Sequence, residues 1–131
     1  MNRLPFSVRP ARLLVLLAYL GFLTWASLAP AKVIANFPFS FPYADKLFHF
    51  LIYGGLVAVA RWTFATSRLS QLSAFNPQLL LIAIAYGGFM ELLQSFLVSY
   101  GRSFELLDVV ANTLGALAFW LLTASRAKPS G

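Results

Sequence analysis

The chain has 131 residues, of which 60% are hydrophobic and only 11% are charged. An ordinary soluble domain carries about 25% charged residues, so we expect residues 1–131 to form a single domain that folds in a membrane rather than a soluble globule. The absence of cysteine excludes disulfides, thiolate metal sites and cysteine nucleophiles. The net charge of +6 comes from basic residues that flank apolar runs, which predicts membrane lipids and not nucleic acid as partners.

Four apolar runs predict an all-α bundle of four transmembrane helices. The runs cover residues 13–29, about 46–65, 79–99 and 106–124. Each is close to the roughly 20 residues that an α-helix needs to cross about 30 Å of hydrocarbon. Strands are not expected, because the runs lack the alternation of a barrel strand. The first run is also similar to a secretory signal, but it is longer than a usual signal core, so we interpret it as an uncleaved span.

The charges in the connections predict that both termini lie in the cytoplasm. This orientation places seven basic residues inside and three outside, in agreement with the cytoplasmic bias of Lys and Arg. The seven are Arg3, Arg9, Arg12, Arg61, Arg68, Arg126 and Lys128, and the three are Lys32, Lys46 and Arg102. Arg61 lies near the inner end of the second span, where snorkelling of its long side chain to the headgroups explains its charge.

Polar residues from three of the four spans fall at one depth, near the outer face. The second span contributes Asp45, Lys46, His49 and Tyr53, the third Glu91 and Gln94, the connection that follows Arg102, and the fourth span Asp108 and Asn112. A charge at the bilayer centre costs roughly 2.5–3.5 kcal/mol. By helix rise Glu91 lies about 12 Å below the outer end of its span. We therefore expect it to be paired, protonated or facing a wet cavity, with Arg102, Lys46 and His49 as its natural partners.

The order and spacing of these residues resemble the VanZ-like family. The matching segments are Asp45-Lys46-x-x-His49-Phe50-x-x-Tyr53, Glu91-x-x-Gln94 and Arg102-Ser103-x-x-x-x-Asp108-x-x-x-Asn112-Thr113-x-Gly115, within residues 45–118. The resemblance implies a small multi-pass protein of the bacterial inner (cytoplasmic) membrane with a role in the cell envelope. The family is named for a member linked to resistance against the glycopeptide antibiotic teicoplanin, but the resemblance supplies no reaction. The sequence departs from the pattern at Phe119, where the family often has a second glycine, so close packing through small residues is not expected there.

Our main hypothesis is an outward-facing polar pocket that binds or modifies a lipid-linked or cell-wall-related substrate, with a role similar to glycopeptide resistance. As an enzyme it would use His49, Glu91, Asp108 and Asp45 as general acids and bases. Lys46 and Arg102 would hold a phosphate, while Tyr53, Gln94 and Asn112 would orient the site by hydrogen bonds. Whether the site is catalytic stays open at this stage.

Two other functions and one metal site compete with this hypothesis. The same residues could form an interhelical network in a structural or partner-binding protein. They could also relay protons in a transporter, although the inner halves of the spans show no matching polar path and four short helices would need a homo-oligomer for alternating access. A single histidine does not make a usual zinc site, so no metal ligand is assigned, while Mg²⁺ or Ca²⁺ at Asp45, Glu91 and Asp108 stays open. The sequence assigns no cofactor.

Overall fold

The computed structural model describes residues 7–34, 43–71, 75–101 and 103–125, and these residues form helices and turns only. The long helices are α1 (Pro10–Leu28), α3 (Ala44–Phe64), α4 (Phe75–Gln94) and α5 (Leu106–Ser125), and α2 (Ala31–Ile34) is a single turn after α1. Four helices are long and apolar enough to cross a membrane. This confirms the predicted all-α bundle with four candidate spans.

Helix α4 differs most from its predicted span of residues 79–99, because it covers Phe75–Gln94. Pro77 lies inside its first turn, where the helix does not need the missing N–H group. Beyond the helix the chain turns through a short 3₁₀ segment, Val98–Tyr100. Glu91 therefore lies in the last turn of α4, about 4.5 Å from the helix end by helix rise instead of about 12 Å.

The most extensive helix contact in the described part of the chain joins α3 and α5. Gly115 lets the two backbones approach, since a Cβ atom at this position would overlap the main chain of Phe50. The ring of Phe119 lies against Gly54 of the facing helix, and it meets the Phe50 ring edge to face with centroids 6.3 Å apart. Close packing is thus kept at Phe119, because the glycine that makes room for the ring is on α3.

Two arginine–tryptophan pairs lie at the end of the bundle where α1 begins and α3 ends. The guanidinium of Arg12 donates to the Trp62 carbonyl oxygen at 2.6 Å and lies 4.6 Å from the centroid of the Trp62 ring. Arg61 donates to the Trp120 carbonyl oxygen at 2.6 Å and to Thr123 Oγ1 at 2.7 Å, with its guanidinium 5.0 Å from the Trp120 ring. Arg61 therefore fastens α3 to the last part of α5, a role that snorkelling alone does not describe.

Candidate functional site

All four Asp and Glu side chains of the chain, and its only histidine, lie at the end of the bundle where α1 and α4 end and α3 and α5 begin. We call the polar side chains gathered there the polar cluster. Its members are Asp45, Lys46, His49, Tyr53, Glu91, Gln94, Glu105, Asp108 and Asn112. All the candidate residues from the sequence belong to it except Arg102, which lies outside the described residues. Glu105 is an addition that the sequence analysis did not make.

Lys46 is surrounded by three carboxylates. Its Nζ lies 2.8 Å from Asp45 Oδ2 and 2.5 Å from Asp108 Oδ1, and it also forms an ion pair with Glu105. Asp45 and Asp108 are in the first turns of α3 and α5, where the helix dipoles favour negative charge. Because an ammonium group has three N–H donors, these contacts occupy it fully. Lys46 clamps α3 to α5, whereas the sequence suggested a phosphate ligand.

His49 connects α3 with the carboxylates of both α4 and α5. Its Nδ1 lies 2.9 Å from the side-chain oxygen of Asn112, a residue that is only 1% exposed. With the amide oxygen of Asn112 facing the ring, this contact is a hydrogen bond in the tautomer that carries its proton on Nδ1. The other nitrogen, Nε2, lies 3.5 Å from Asp108 Oδ2, and Nδ1 lies 3.8 Å from Glu91 Oε1. The ring is therefore held with Nε2 directed at a carboxylate.

The α4 part of the cluster is the most deeply buried. Glu91 and Gln94 are 1% and 2% exposed. The backbone N–H of Glu105 approaches Glu91 Oε2 at 3.5 Å, and Gln94 Nε2 donates to the Ser27 carbonyl oxygen at 2.8 Å. These contacts connect α4 with α1 and with the segment before α5. Sequence reasoning missed Ser27 because its backbone carbonyl carries no sequence signal.

A cavity of about 680 Å³ lies between α1 and α3, next to the polar cluster. Its apolar lining is about half-exposed on the outside of the bundle and includes Phe22, Trp25, Leu47, Phe48 and Leu51. Its polar lining includes Asp45, His49, Tyr53, Gln94, Glu105 and Asp108. The cavity therefore offers an apolar wall and a charged wall to one ligand.

In the part of the chain that the structure describes, two groups of side chains have the composition and spacing of metal ligands, with ligand atoms within 4.8 Å of one another. One consists of Asp45, Glu105 and Asp108, which are also the carboxylates that bind the Lys46 ammonium group. The other consists of His49, Glu91 and Asp108. Asp45 and Glu91, which the sequence left open as ligands of one Mg²⁺ or Ca²⁺ ion, fall in different groups.

Comparison with known proteins identifies a family and a relative to which the chain is similar. The VanZ/LLP1 family profile matches residues 7–126. The chain is also similar to an uncharacterized protein of the fission yeast Schizosaccharomyces pombe, with 37% identity over 113 residues that cover 84% of this chain and 57% of the relative. No solved structure matches the chain. Similar proteins are therefore not confined to bacteria, and the chain spans 57% of the relative that it matches.

Proposed function

Because this chain belongs to the VanZ/LLP1 family and has four helices able to cross a membrane, we propose that it binds a membrane lipid between α1 and α3. The lipid headgroup lies against the polar cluster, and its hydrocarbon chain follows the apolar wall. The observation that carries the proposal is the single cavity that joins these two walls.

The exposure of the apolar wall of the cavity favours a lipid over a water-soluble ligand. Its volume of about 680 Å³ falls within the range of small-molecule sites. The apolar wall is half-exposed on the surface of a candidate membrane span, so in a bilayer it faces hydrocarbon. A soluble ligand would leave this wall unused, whereas a lipid chain covers it and brings a polar headgroup to the carboxylates.

In this proposal the polar cluster faces away from the cytoplasm, following the charge distribution of the chain. In a bacterium the protein then lies in the inner membrane and meets envelope lipids, including lipid-linked wall precursors, from the outer leaflet. A role similar to glycopeptide resistance would follow from binding such a precursor. The similarity to a fission yeast protein favours a headgroup common to bacteria and eukaryotes, and a lipid phosphate meets this condition.

The contacts in the polar cluster also bear on the competing functions. Lys46 and Gln94 join helices, so part of the cluster stabilises the bundle whatever else it does. The structure does not support the proton path that the transporter hypothesis requires, because all four Asp and Glu side chains and the histidine lie at one end of the spans. Chemistry on the headgroup is compatible with His49 and Asp108 as proton-transfer groups, and an experiment separates binding from turnover.

The proposal is tested by the lipids that stay bound to the purified chain. We expect native mass spectrometry in mild detergent to detect one retained lipid, enriched over its share of the membrane. Leu51→Trp should expel it by filling the apolar wall, whereas Leu114→Trp, on an equally exposed part of α5 outside the cavity, should retain it. Equal retention in both variants, or a bound lipid mixture identical to the bulk membrane, would contradict the proposal. A change in headgroup mass during incubation would add turnover to binding.

A further inference from the structure

We propose that His49, Glu91 and Asp108 bind one divalent cation of the Mn²⁺ or Zn²⁺ type, and that this cation meets the phosphate of the bound lipid. The second part rests on the proposed function. The first part rests only on the three side chains and their surroundings.

The three ligands come from three helices and converge on a mostly buried point. A nitrogen of His49 and one oxygen of each carboxylate lie within 4.8 Å of one another. Bonds of about 2.0–2.2 Å to a cation place ligand atoms roughly 3–4 Å apart, so small side-chain rotations complete the site. Glu91 and Asp108 are 1% and 6% exposed, so a cation bound between them would be largely shielded from water.

The hydrogen bond of His49 to Asn112 favours a cation beside the other ring nitrogen. With Nδ1 donating to Asn112, a neutral imidazole has its lone pair on Nε2, which lies 3.5 Å from Asp108 Oδ2. Two acceptors that face each other repel, and a cation between them removes the repulsion. Histidines that ligate metals almost always donate their second N–H to an oxygen, as His49 does.

The residues next to the three ligands are placed so that they can hold the ligand side chains in position. The second oxygen of Asp108 accepts a hydrogen bond from Lys46 at 2.5 Å, which fixes the direction of the first oxygen. Tyr53, a residue that is 1% exposed, lines the same cavity, and its side chain interacts with Ser27.

The charge of the described part of the polar cluster favours a cation beside an anionic headgroup. Within the described residues the cluster contains four carboxylates and one lysine, and that lysine already contacts three of the four. A phosphate would meet a negatively charged wall. A divalent cation at His49, Glu91 and Asp108 reverses this field at the point where the cavity meets the cluster.

The ligand atoms select the class of metal. Ca²⁺ takes six to eight oxygen ligands and Mg²⁺ is bound through oxygens, whereas an imidazole nitrogen suits Zn²⁺ and other transition metals. Carboxylates suit Mn²⁺ as well. One nitrogen with two carboxylates therefore favours Mn²⁺ or Zn²⁺ over the Mg²⁺ or Ca²⁺ that the sequence alone left open.

The test is electron paramagnetic resonance of Mn²⁺ added to the full chain, purified without a polyhistidine tag and stripped with a chelator. Because His49 is the only histidine, ¹⁴N imidazole coupling to bound Mn²⁺ identifies it without any substitution. We expect one bound Mn²⁺ with this coupling and its displacement by Zn²⁺. Asp108→Asn should weaken binding by about 10-fold or more, while Gln71→Ala, at an exposed position at the opposite end of the bundle, should leave it unchanged.

Three results would overturn the cation site: no Mn²⁺ binding, bound Mn²⁺ without ¹⁴N coupling, or equal affinity in wild type and Asp108→Asn. The presence or absence of ¹⁴N coupling in the wild-type spectrum tests the cation site even if Asp108→Asn does not fold. Adding phosphatidic acid should then produce ³¹P coupling to the bound Mn²⁺. If ¹⁴N coupling is observed but no lipid is retained, the cation site is supported and only the lipid proposal is contradicted. If lipid is retained by a chain that binds no Mn²⁺, the lipid proposal is supported and only the cation site is contradicted.

Discussion

At the scale of single residues, the contacts of the polar cluster converge on Asp108. One of its oxygens accepts from Lys46, and the other faces His49. Its side chain is buried at the start of α5, so its negative charge depends on these partners and on the helix dipole. The stability of this end of the bundle should therefore depend strongly on Lys46.

We predict that Lys46→Met destabilises the bundle, because three carboxylates then lose their shared cation. The loss should fall between the roughly 1 kcal/mol of an exposed pair and the 3–5 kcal/mol of a buried one, since the Lys46 side chain is 18% exposed. Thermal unfolding in mild detergent measures it. Lys32→Met, at an exposed lysine of α2, is the matched control and should leave the melting temperature unchanged.

A second substitution distinguishes lost charge compensation from lost packing. Adding Asp108→Asn to Lys46→Met removes the buried charge that was left without its cation, so it should recover part of the stability. A Lys46→Met chain as stable as the wild type, or a double variant that is less stable than Lys46→Met, would contradict the role of Lys46 as a clamp.

Some site residues could be predicted from the sequence and others could not. Three ionisable residues lie within apolar runs, namely His49, Glu91 and Asp108. Because burying a charge in a membrane span is costly, each of them can be recognised from the sequence as a candidate site residue. Glu105 was missed because it precedes the span and looks like an ordinary loop residue. The fully occupied ammonium group of Lys46 could not be predicted either, since it depends on how close α3 and α5 approach each other.

At the scale of the helices, that approach is set by two glycines in one interface. Gly115 brings the α5 backbone against the main chain of Phe50, and Gly54 accommodates the ring of Phe119. Main-chain atoms cannot move aside as a side chain can. The close contact of α3 with α5 therefore determines the distance between His49 and Asn112 one turn away.

We predict that Gly115→Ala separates α3 from α5 and destabilises the protein by about 1–3 kcal/mol, the usual cost of overpacking. Gly88→Ala is the control, because a Cβ at Gly88 meets nothing within 4 Å. Thermal unfolding of both variants in the same detergent gives the comparison. Equal melting temperatures for the two would show that the backbones are not in contact at Gly115.

Gly54 and Phe119 should behave as a coupled pair. Gly54→Ala places a methyl group against the Phe119 ring and should be destabilising, whereas in a Phe119→Ala background the same change should cost much less. The interaction free energy from this double-mutant cycle should lie between about 0.5 and 3 kcal/mol. A value near zero would mean that the ring does not occupy the space above Gly54.

Hydropathy predicted the number of long helices but not all their ends. Each run approaches the length of a span, so its existence follows from composition and length. The end of α4 did not follow, because Phe96, Leu97 and Val98 continue the apolar run although the helix stops at Gln94. Hydropathy measures the preference for lipid, whereas the helix end depends on backbone geometry.

At the scale of the whole molecule, charge is segregated between the two ends of the bundle. The carboxylates are all at the end that carries the polar cluster, and Arg12 and Arg61 are at the other. By the cytoplasmic bias of basic residues, the polar cluster should face outward. The absence of cysteine makes this orientation directly measurable.

We predict that a membrane-impermeant maleimide added to intact cells labels Ser103→Cys and not Gln71→Cys. Both residues are exposed, and they lie at opposite ends of the bundle. Gln71→Cys should become labelled only after the membrane is permeabilised, which serves as its control. The reverse pattern would move the polar cluster to the cytoplasmic face and direct the search for its ligand to the inner leaflet.

The position of the cavity between α1 and α3 determines what its ligand has to compete with. In the proposed lipid complex its half-exposed apolar wall faces the bilayer, so every neighbouring lipid is already present there at a very high effective concentration. Hydrocarbon chains differ little from one lipid to the next, and contact with the wall gives occupancy without discrimination. Selectivity between lipids must therefore come from contacts with the headgroup. The dissociation constant is accordingly expressed as a mole fraction of lipid in the membrane instead of a concentration in water.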